Sequence, residues 1–408
     1  MSTPTTGSST EATPTPPPED HSEEQTKHGP SGQAALLRQV ASSPAVVGLL
    51  AVLTALILSS ILILAADSEV RYTATYLLNR PGDFLHATAS TLSEAYSSLL
   101  RGAVFDWRAT TGVRMIRPIT DTLTNATPLI IAGLGMAVAF RAGLFNIGGQ
   151  GQMILGAITA CYVGIAWNLP PVAHLLVAVI GAALGGLVWG GIAGVLKART
   201  GANEVIVTIM LNSIAAHLLS QVLSLKAFNG EGETGNRKSL TVADTAQYPS
   251  LAGDSFRLHA GFLLALLVAV AVWWLMERSR LGFQLRATGL NADAARTAGM
   301  SVPWVTSLVM MISGALCGLA ATAPVLGTQK SMDESVVGTI GFDAITVAPL
   351  GRSRPLGTVL AGLLFGALRA GGTAMQAAPG THIKIVLVLQ STIVLFIAAP
   401  PLIRAIFR

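Results

Sequence analysis

Cysteine and charge are both scarce in this 408-residue chain, and each shortage excludes a class of protein. The two cysteines, Cys161 and Cys317, fall in strongly apolar stretches, so neither a disulfide framework nor a cysteine metal site is expected. Charged residues make up 12% of the chain and hydrophobic residues 51%, which leaves too little polar surface for a soluble domain. The mean hydropathy of +0.59 therefore indicates a polytopic membrane protein.

The motifs of common enzyme classes are also missing. The sequence has no G-x-x-x-x-G-K-[ST] phosphate loop, no HExxH zinc motif and no G-x-S-x-G elbow, and its seven histidines are scattered. We therefore predict no catalytic residue, no metal and no cofactor in this chain, and we expect that it does not hydrolyse ATP. The net charge of +5 does not indicate a nucleic-acid partner, because the basic residues cluster in short loops, as the positive-inside rule requires.

The amino-terminal segment differs in composition from the rest of the chain. Residues 1–38 are rich in Thr, Pro, Ser, Glu and Gln and contain almost no large apolar residue, which predicts a disordered cytoplasmic tail. The first apolar run, 45–65, is long enough to cross about 30 Å of hydrocarbon and lacks the form of a cleavable signal peptide. We predict a first transmembrane helix and an extracytoplasmic loop over 39–118, followed by the main transmembrane domain over 119–408.

The fold class predicted from the apolar runs is an all-α membrane protein of about ten transmembrane helices, some broken or short. The predicted spans are 45–65, 125–140, 144–167, 171–195, 204–223, 259–276, 303–325, the short run 336–350, 354–372 and 384–404. If the short run crosses, both termini are cytoplasmic and the basic residues of the short loops, with Arg404 and Arg408, fall inside. The long loops 66–118 and 224–258 then face outward, as solvated connections or as surfaces for an extracytoplasmic partner.

Glycine, with 42 residues, is abundant, and some glycines are spaced four apart. This spacing occurs at Gly181 and Gly185, at Gly186 and Gly190, and at Gly190 and Gly194. Small residues at this spacing let helix backbones approach closely in lipid. We interpret these glycines as helix-packing positions.

A polar island, 277–302, separates two strongly apolar segments and carries four arginines. Within it we predict a short helix with Asn291 as N-cap, Asp293 near the positive end of the helix dipole and Gly299 as the C′ glycine. A capped basic helix between two membrane spans suits docking on another protein at the cytoplasmic surface.

Polar residues inside the predicted spans are the candidates for a substrate pathway. In the segment 140–153, Phe145, Asn146 and Gln150 belong either to a broken helix that lines a cavity or to a tight turn whose amides cap helix ends. On the span 204–223, Thr208 and Asn212 share one face of the predicted helix, whereas His217 lies in a second row of polar residues along that helix. These three residues either bind substrate or tie helices together.

An acidic residue in the short run 336–350 is a further candidate. Asp343, beside Phe342, is costly at membrane depth unless it is paired. Arg369 is the most obvious counter-charge. A structural ion pair and a substrate ligand both fit this pattern.

Three blocks of the chain carry a family resemblance: AFRAGLFNIGGQGQMILGA, GFQLRATGLNADAARTAGM and GFDAITVAPLGRSRPLGTVLAGLLFGALRAGG. They resemble the inner-membrane permeases of bacterial ABC importers for simple sugars, nucleosides and branched-chain amino acids, over residues 120–400. The second block resembles the Glu-Ala-Ala-x-x-x-Gly coupling loop, with Asp for Glu. The resemblance implies that docking on the ATPase is carried by Asn291, Asp293, Ala294, Ala295, Arg296 and Gly299.

The likeness is greatest to the nucleoside branch, whose members often have Glu at the position of Gln150. It implies a bacterial inner-membrane location and several partners: ABC ATPase subunits that bind ATP and Mg²⁺, a second related permease in a heterodimer, and an extracytoplasmic substrate-binding protein. Nucleosides are the expected substrates, with simple sugars as the alternative. A secondary transporter and a channel are competing functions from other classes.

Overall fold

The computed structural model describes residues 44–229, 237–253, 255–377 and 391–392. Over these ranges the regular structure is helical, apart from isolated bridges that pair Lys238 with Asp333 and Ser250 with His259. The predicted tail 1–38 and nearly all of the predicted span 384–404 lie outside the described residues. By its contacts the chain divides after Val47, and every contact discussed below belongs to the unit from Gly48 onward.

The helices follow the apolar runs and the capping residues of the sequence. The α-helices of the described ranges are α1 (Pro44–Ala66), α2 (Ser68–Ala74), α3 (Pro81–Ala103), α4 (Gly112–Arg141), α5 (Gly149–Ala166), α6 (Pro171–Thr200), α7 (Glu204–Leu223), α8 (Lys226–Asn229), α9 (Gly261–Arg278), α10 (Arg280–Leu290), α11 (Ala292–Thr297), α12 (Val302–Ala320), α13 (Ile340–Leu350) and α14 (Pro355–Ala377).

Six helices of the described part are long and apolar enough to cross a membrane. They are α4, α6, α7, α9, α14, and α12 together with a π-helical extension over Ala323–Thr328. This confirms the polytopic all-α class. The number of ten crossings and the cytoplasmic location of both termini stay predictions.

The predicted loop 66–118 is mostly helical rather than irregular, and its extracytoplasmic location stays a prediction. Asp67 caps α2 through the backbone amides of Glu69 and Val70, and Pro81 begins α3. α3 buries mainly small residues and packs against α14. Its low hydropathy hides this helix from a search for membrane spans.

The predicted loop 224–258 is held by backbone hydrogen bonds to the segment after α12. The Ser239 amide donates to Met332 O at 2.7 Å, and the Tyr248 amide donates to Leu326 O at 2.9 Å. Val242 and Ala246 between them are buried. This connection is therefore more than a solvated link.

Glycines form the contact between α6 and α12. A Cβ atom at Gly186 would lie 2.1 Å from Gly314 O, and one at Gly190 would lie 2.4 Å from Met310 O. The predicted packing role is confirmed for these two glycines. Gly185 instead faces α5, where a Cβ would lie 2.7 Å from Leu155 O.

Helix α13 has eleven residues and is about 16 Å long, roughly half the hydrocarbon thickness. It is followed by a tight turn in which Arg352 and Ser353 take positive φ angles. Arg354, after this turn, acts electrostatically on Glu277 at the end of α9. The carboxyl end of α13 therefore lies at the end of the bundle that carries α10 and α11, called here the α11 end.

Candidate functional site

The predicted short helix in the polar island is present as α11. The Asn291 side chain accepts hydrogen bonds from the backbone amides of Asp293 and Ala294, both at 3.0 Å. Gly299 has φ +82°, and its amide donates to Arg296 O, while the next amide donates to Ala295 O. These two bonds form a Schellman cap. Both predicted caps are confirmed.

The surface of α11 is almost entirely exposed. Ala295 is its buried residue, whereas the side chains of Asp293 and Arg296 are exposed and form an ion pair at 3.1 Å. Leu290, just before the helix, is 89% exposed. A rigid capped helix with an exposed leucine and adjacent charges is a surface suited to docking on another protein.

Helix α10 joins this surface to the turn between α4 and α5. A Cβ atom at Gly289 would lie 2.4 Å from Arg141 O. Gly143, which has a φ angle of +72°, packs against the backbone of Gly289. Arg141 also pairs with Glu277 at 2.6 Å. The exposed helix is thus attached directly to the segment that carries the predicted pathway residues.

Asn146 is fully buried in that turn and uses its whole amide group. Its Nδ2 donates to Gln152 Oε1 at 2.9 Å and to Ser313 Oγ at 2.8 Å. Its Oδ1 accepts from the Gly148 amide and from Gln152 Nε2. These bonds fix the turn to α12, which agrees with the tight-turn interpretation.

Asn212 and Thr208 share the face of α7 that packs on the same turn. Asn212 Oδ1 accepts from the Gly151 amide at 2.8 Å, and its Nδ2 donates to Ile147 O at 2.9 Å. Thr208 is buried and bonds to the carbonyl of Glu204 in its own helix. In this conformation Asn212 therefore ties α7 to the turn and to α5, whereas the Thr208 hydroxyl bonds within α7.

Replacement of Asn212 by leucine is expected to destabilise the protein, because the Gly151 amide and the Ile147 carbonyl lose their partner. Each buried backbone group left without one costs about 1–3 kcal/mol. The melting temperature of the purified protein in detergent should fall on the order of 5 °C. The matched control is Ser213→Leu, at the neighbouring exposed position. Equal melting temperatures for both variants would contradict this role.

The other predicted pathway residues are not gathered in one place. Gln150 Nε2 donates to Gly338 O at 2.7 Å, and its Oε1 is buried without a partner among the described residues. Phe145 is 61% exposed and contacts Phe140. His217 is exposed on the side of α7 away from Asn212. A role for these three residues stays a prediction.

The predicted counter-charge of Asp343 is confirmed. Arg369 lies 3.5 Å from Asp343, and the Thr339 hydroxyl bridges them by accepting from Arg369 and donating to the carboxylate. Phe342, beside Asp343, is half exposed. The ion pair joins the start of α13 to α14.

A polar cavity of about 230 Å³ adjoins this ion pair, and the sequence did not predict it. Its polar lining includes Asp121, Thr124, Asn125, Arg257, Gln329 and Arg369. Asp121 lies about 30 Å along α4 from Arg141, far from the α11 end. The π-helical turn at the end of α12 forms part of the wall, and such turns are frequent at functional sites.

Apolar helices long enough to span a membrane, a polar cavity at one end of the bundle and an exposed capped helix at the other are the features expected of a membrane permease. Residues 119–398 match the family described as branched-chain amino acid transport system, permease component. The chain belongs to this family.

Individual relatives support the same class. The chain is 40% identical over 287 residues to the guanosine ABC transporter permease protein NupP of Bacillus subtilis, covering 70% of this chain and 82% of that one. It is 37% identical to the glucose ABC transporter permease protein TsgB13 of Haloferax volcanii, covering 68% and 75%. A second Bacillus subtilis guanosine permease, NupQ, is 26% identical, covering 61% and 79%. The predicted resemblance to ABC permeases is confirmed.

Proposed function

We propose that this chain is one of two transmembrane subunits of an ATP-driven nucleoside importer in a bacterial inner membrane. The observation that carries the proposal is the 40% identity to a guanosine permease over 287 residues. The family match over residues 119–398 contains both the capped helix α11 and the polar cavity. The glucose permease TsgB13, at 37% identity, makes simple sugars the second candidate substrate class.

The proposed partners follow from the surface and from the relatives. Helix α11 docks on an ABC ATPase subunit, and that subunit binds ATP and Mg²⁺. The chain matches both NupP and NupQ of one organism, at 40% and 26% identity, which supports a heterodimer with a related permease. An extracytoplasmic substrate-binding protein delivers substrate at the cavity end. In this arrangement the α11 end is cytoplasmic, both termini are cytoplasmic and the chain crosses the membrane ten times.

The contacts of α10 suggest how ATP hydrolysis moves the transport pathway. Closure of the ATPases displaces α11, and Gly289 of α10 carries this displacement to the turn at 142–148. Asn146 of that turn is bonded to Ser313 of α12, and Asn212 of α7 is bonded to its backbone. One unit therefore joins the docking surface to α4, α7 and α12, and its two positions correspond to outward-facing and inward-facing pathways.

The first test is uptake of radiolabelled guanosine, uridine, adenosine, ribose and glucose by cells with and without this chain. ATP is depleted in one arm, and the ion gradients are collapsed in another. We expect nucleoside uptake that requires the chain and ATP and survives gradient collapse. Re-expression of the chain in the deletion strain is the control.

Other outcomes of this test would overturn the proposal in distinct ways. Uptake that follows the ion gradients would identify a secondary transporter. Uptake confined to ribose or glucose would move the chain to the sugar permeases. Flux that persists without ATP or gradients would identify a channel.

A further inference from the structure

The turn between α13 and α14 has a strained backbone. Arg352 has φ +53° and Ser353 has φ +50°, and these are two of the three non-glycine residues with positive φ in the described part of the chain. The left-handed conformation costs an ordinary residue about 1–2 kcal/mol. Such strain persists only where the surrounding structure fixes it, and it is concentrated at functional sites.

Backbone contacts hold this turn in one conformation. The Ser353 amide donates to Ala348 O at 2.8 Å. A Cβ atom at Gly357 would overlap Gly351 O, so the backbones on the two sides of the turn are in direct contact. The turn therefore presents its side chains from a fixed position.

Arg352 is the side chain that this turn offers to a partner. It is exposed, and its guanidinium has no ion pair or hydrogen bond within the described ranges of the chain. A guanidinium binds a carboxylate through two parallel hydrogen bonds, and this geometry is specific to arginine. An acidic side chain of another protein is therefore the group that Arg352 matches.

Helix α11 is too small to form a complete docking surface. Its six residues span about 9 Å, and one face of a helix of this length and about 10–12 Å wide offers on the order of 200 Å². A stable interface buries about 800 Å² on each partner, which is an area about 30 Å across. Other segments at the α11 end must therefore contribute.

The turn at Arg352 lies within the area that such a partner would cover. Arg354 of the turn and Arg286 of α10 both act electrostatically on the Glu277 carboxylate. Arg286 precedes the start of α11 by six residues, or about 9 Å of helix. A protein seated on α11 is therefore expected to reach the turn.

We propose that Arg352 forms a second contact with the ATPase subunit, separate from α11, by pairing with a carboxylate of that subunit. This inference rests on the proposed function, in which α11 docks on an ABC ATPase. The start of α13 carries the Asp343–Arg369 pair. The second contact thus connects the ATPase through α13 to the polar cavity, whereas α11 acts through α10 on the turn at 142–148.

The first test places the photocross-linker p-benzoylphenylalanine at position 352 of the complete transporter in cells. Position 293 in α11 tests the docking helix, and position 108, exposed at the opposite end of the bundle, is the negative control. We expect covalent adducts with the ATPase subunit from positions 352 and 293 and none from position 108.

The second test measures the apparent Kd of the purified ATPase subunit for membrane vesicles that contain the permease pair and have been stripped of ATPase. Arg352→Ala should raise this Kd about tenfold, as for a lost hydrogen bond to a charged group, and Arg352→Lys should raise it by about threefold. The matched control is Arg278→Ala at the same end, because the Arg278 guanidinium lies 5.8 Å from the ring centroid of Trp273. Its Kd should stay within about twofold of the wild-type value.

The outcomes separate this inference from the proposed function. An ATPase adduct from position 293 without one from position 352, or an adduct from 352 with phospholipid alone, would overturn the second contact and leave the docking of α11 intact. An unchanged Kd for Arg352→Ala would also overturn it. Absence of ATPase adducts from both positions would overturn the proposed docking and this inference together.

Discussion

Replacement of Gly299 by valine is expected to lower ATP-dependent uptake about tenfold or more while the amount of protein in the membrane stays normal. Gly299 has φ +82°, and a β-branched residue in this conformation costs about 1–2 kcal/mol. No atom lies within 4 Å of the position that a Cβ would take, so the substitution causes no clash. Its effect is confined to the Schellman cap of α11, the proposed docking surface.

Two further variants separate docking from backbone strain. Gly253 also has a positive φ, +84°, and open space, but it lies in the connection before α9, away from the α11 end. Gly253→Val should therefore leave uptake normal. Asp293→Arg changes an exposed side chain of α11 and should abolish uptake. Wild-type uptake in both Gly299→Val and Asp293→Arg would refute the coupling assignment.

Replacement of Gly314 by valine is expected to prevent folding of the transporter. A Cβ atom at Gly314 would lie 2.3 Å from Gly186 O, and one at Gly318 would lie 2.2 Å from Ala182 O. The obstructing atoms belong to the backbone of α6, so the clash can be relieved only by separating two helices that form one of the largest contacts of the bundle. Overpacking of this kind destabilises a protein by about 1–3 kcal/mol or more. Separation of α6 and α12 would also remove the other contacts between these two helices.

The measurement is the amount of protein in the membrane fraction and its elution as a single species from a sizing column in detergent. Gly314→Val should give little protein or aggregate. Gly181→Ala is the matched control, because the nearest atom to its added Cβ lies at 3.5 Å, an ordinary contact distance. A normal yield and a single peak for Gly314→Val would show that the two backbones can separate without loss of the fold.

The features that the sequence predicted well are those determined by neighbouring residues. Apolar runs of sufficient length predicted the spanning helices, and Asn291 and Gly299 predicted both ends of α11. A helix whose buried face is made of small residues was not predicted. In α3 the buried positions include Ala87, Ala95 and Ser98, which resemble a polar loop in a hydropathy profile.

The features that were missed depend on residues distant in sequence. Whether Asn146 lines a pathway or fixes a turn is decided by Ser313, which lies 167 positions away. The spacing of Asn212 and His217 places them on different faces of one helix. It does not determine which of these faces is directed into the bundle. Asp121 lies just before the predicted span 125–140, and no sequence pattern marked it as a candidate. Its cavity exists only because α4, α12 and α14 come together.

The half-length helix α13 has an electrical consequence. The polar cavity reaches Gly338 and Ile340, where α13 begins, so the roughly 16 Å of that helix separates the cavity from the α11 end. A transmembrane voltage falls mainly across the part of the protein that excludes water. With water in the cavity, a membrane voltage would fall largely over α13 and over the Asp343–Arg369 pair at its start. A neutral solute does no electrical work in crossing such a region, whereas rearrangement of that ion pair during transport would make the cycle sensitive to the membrane potential.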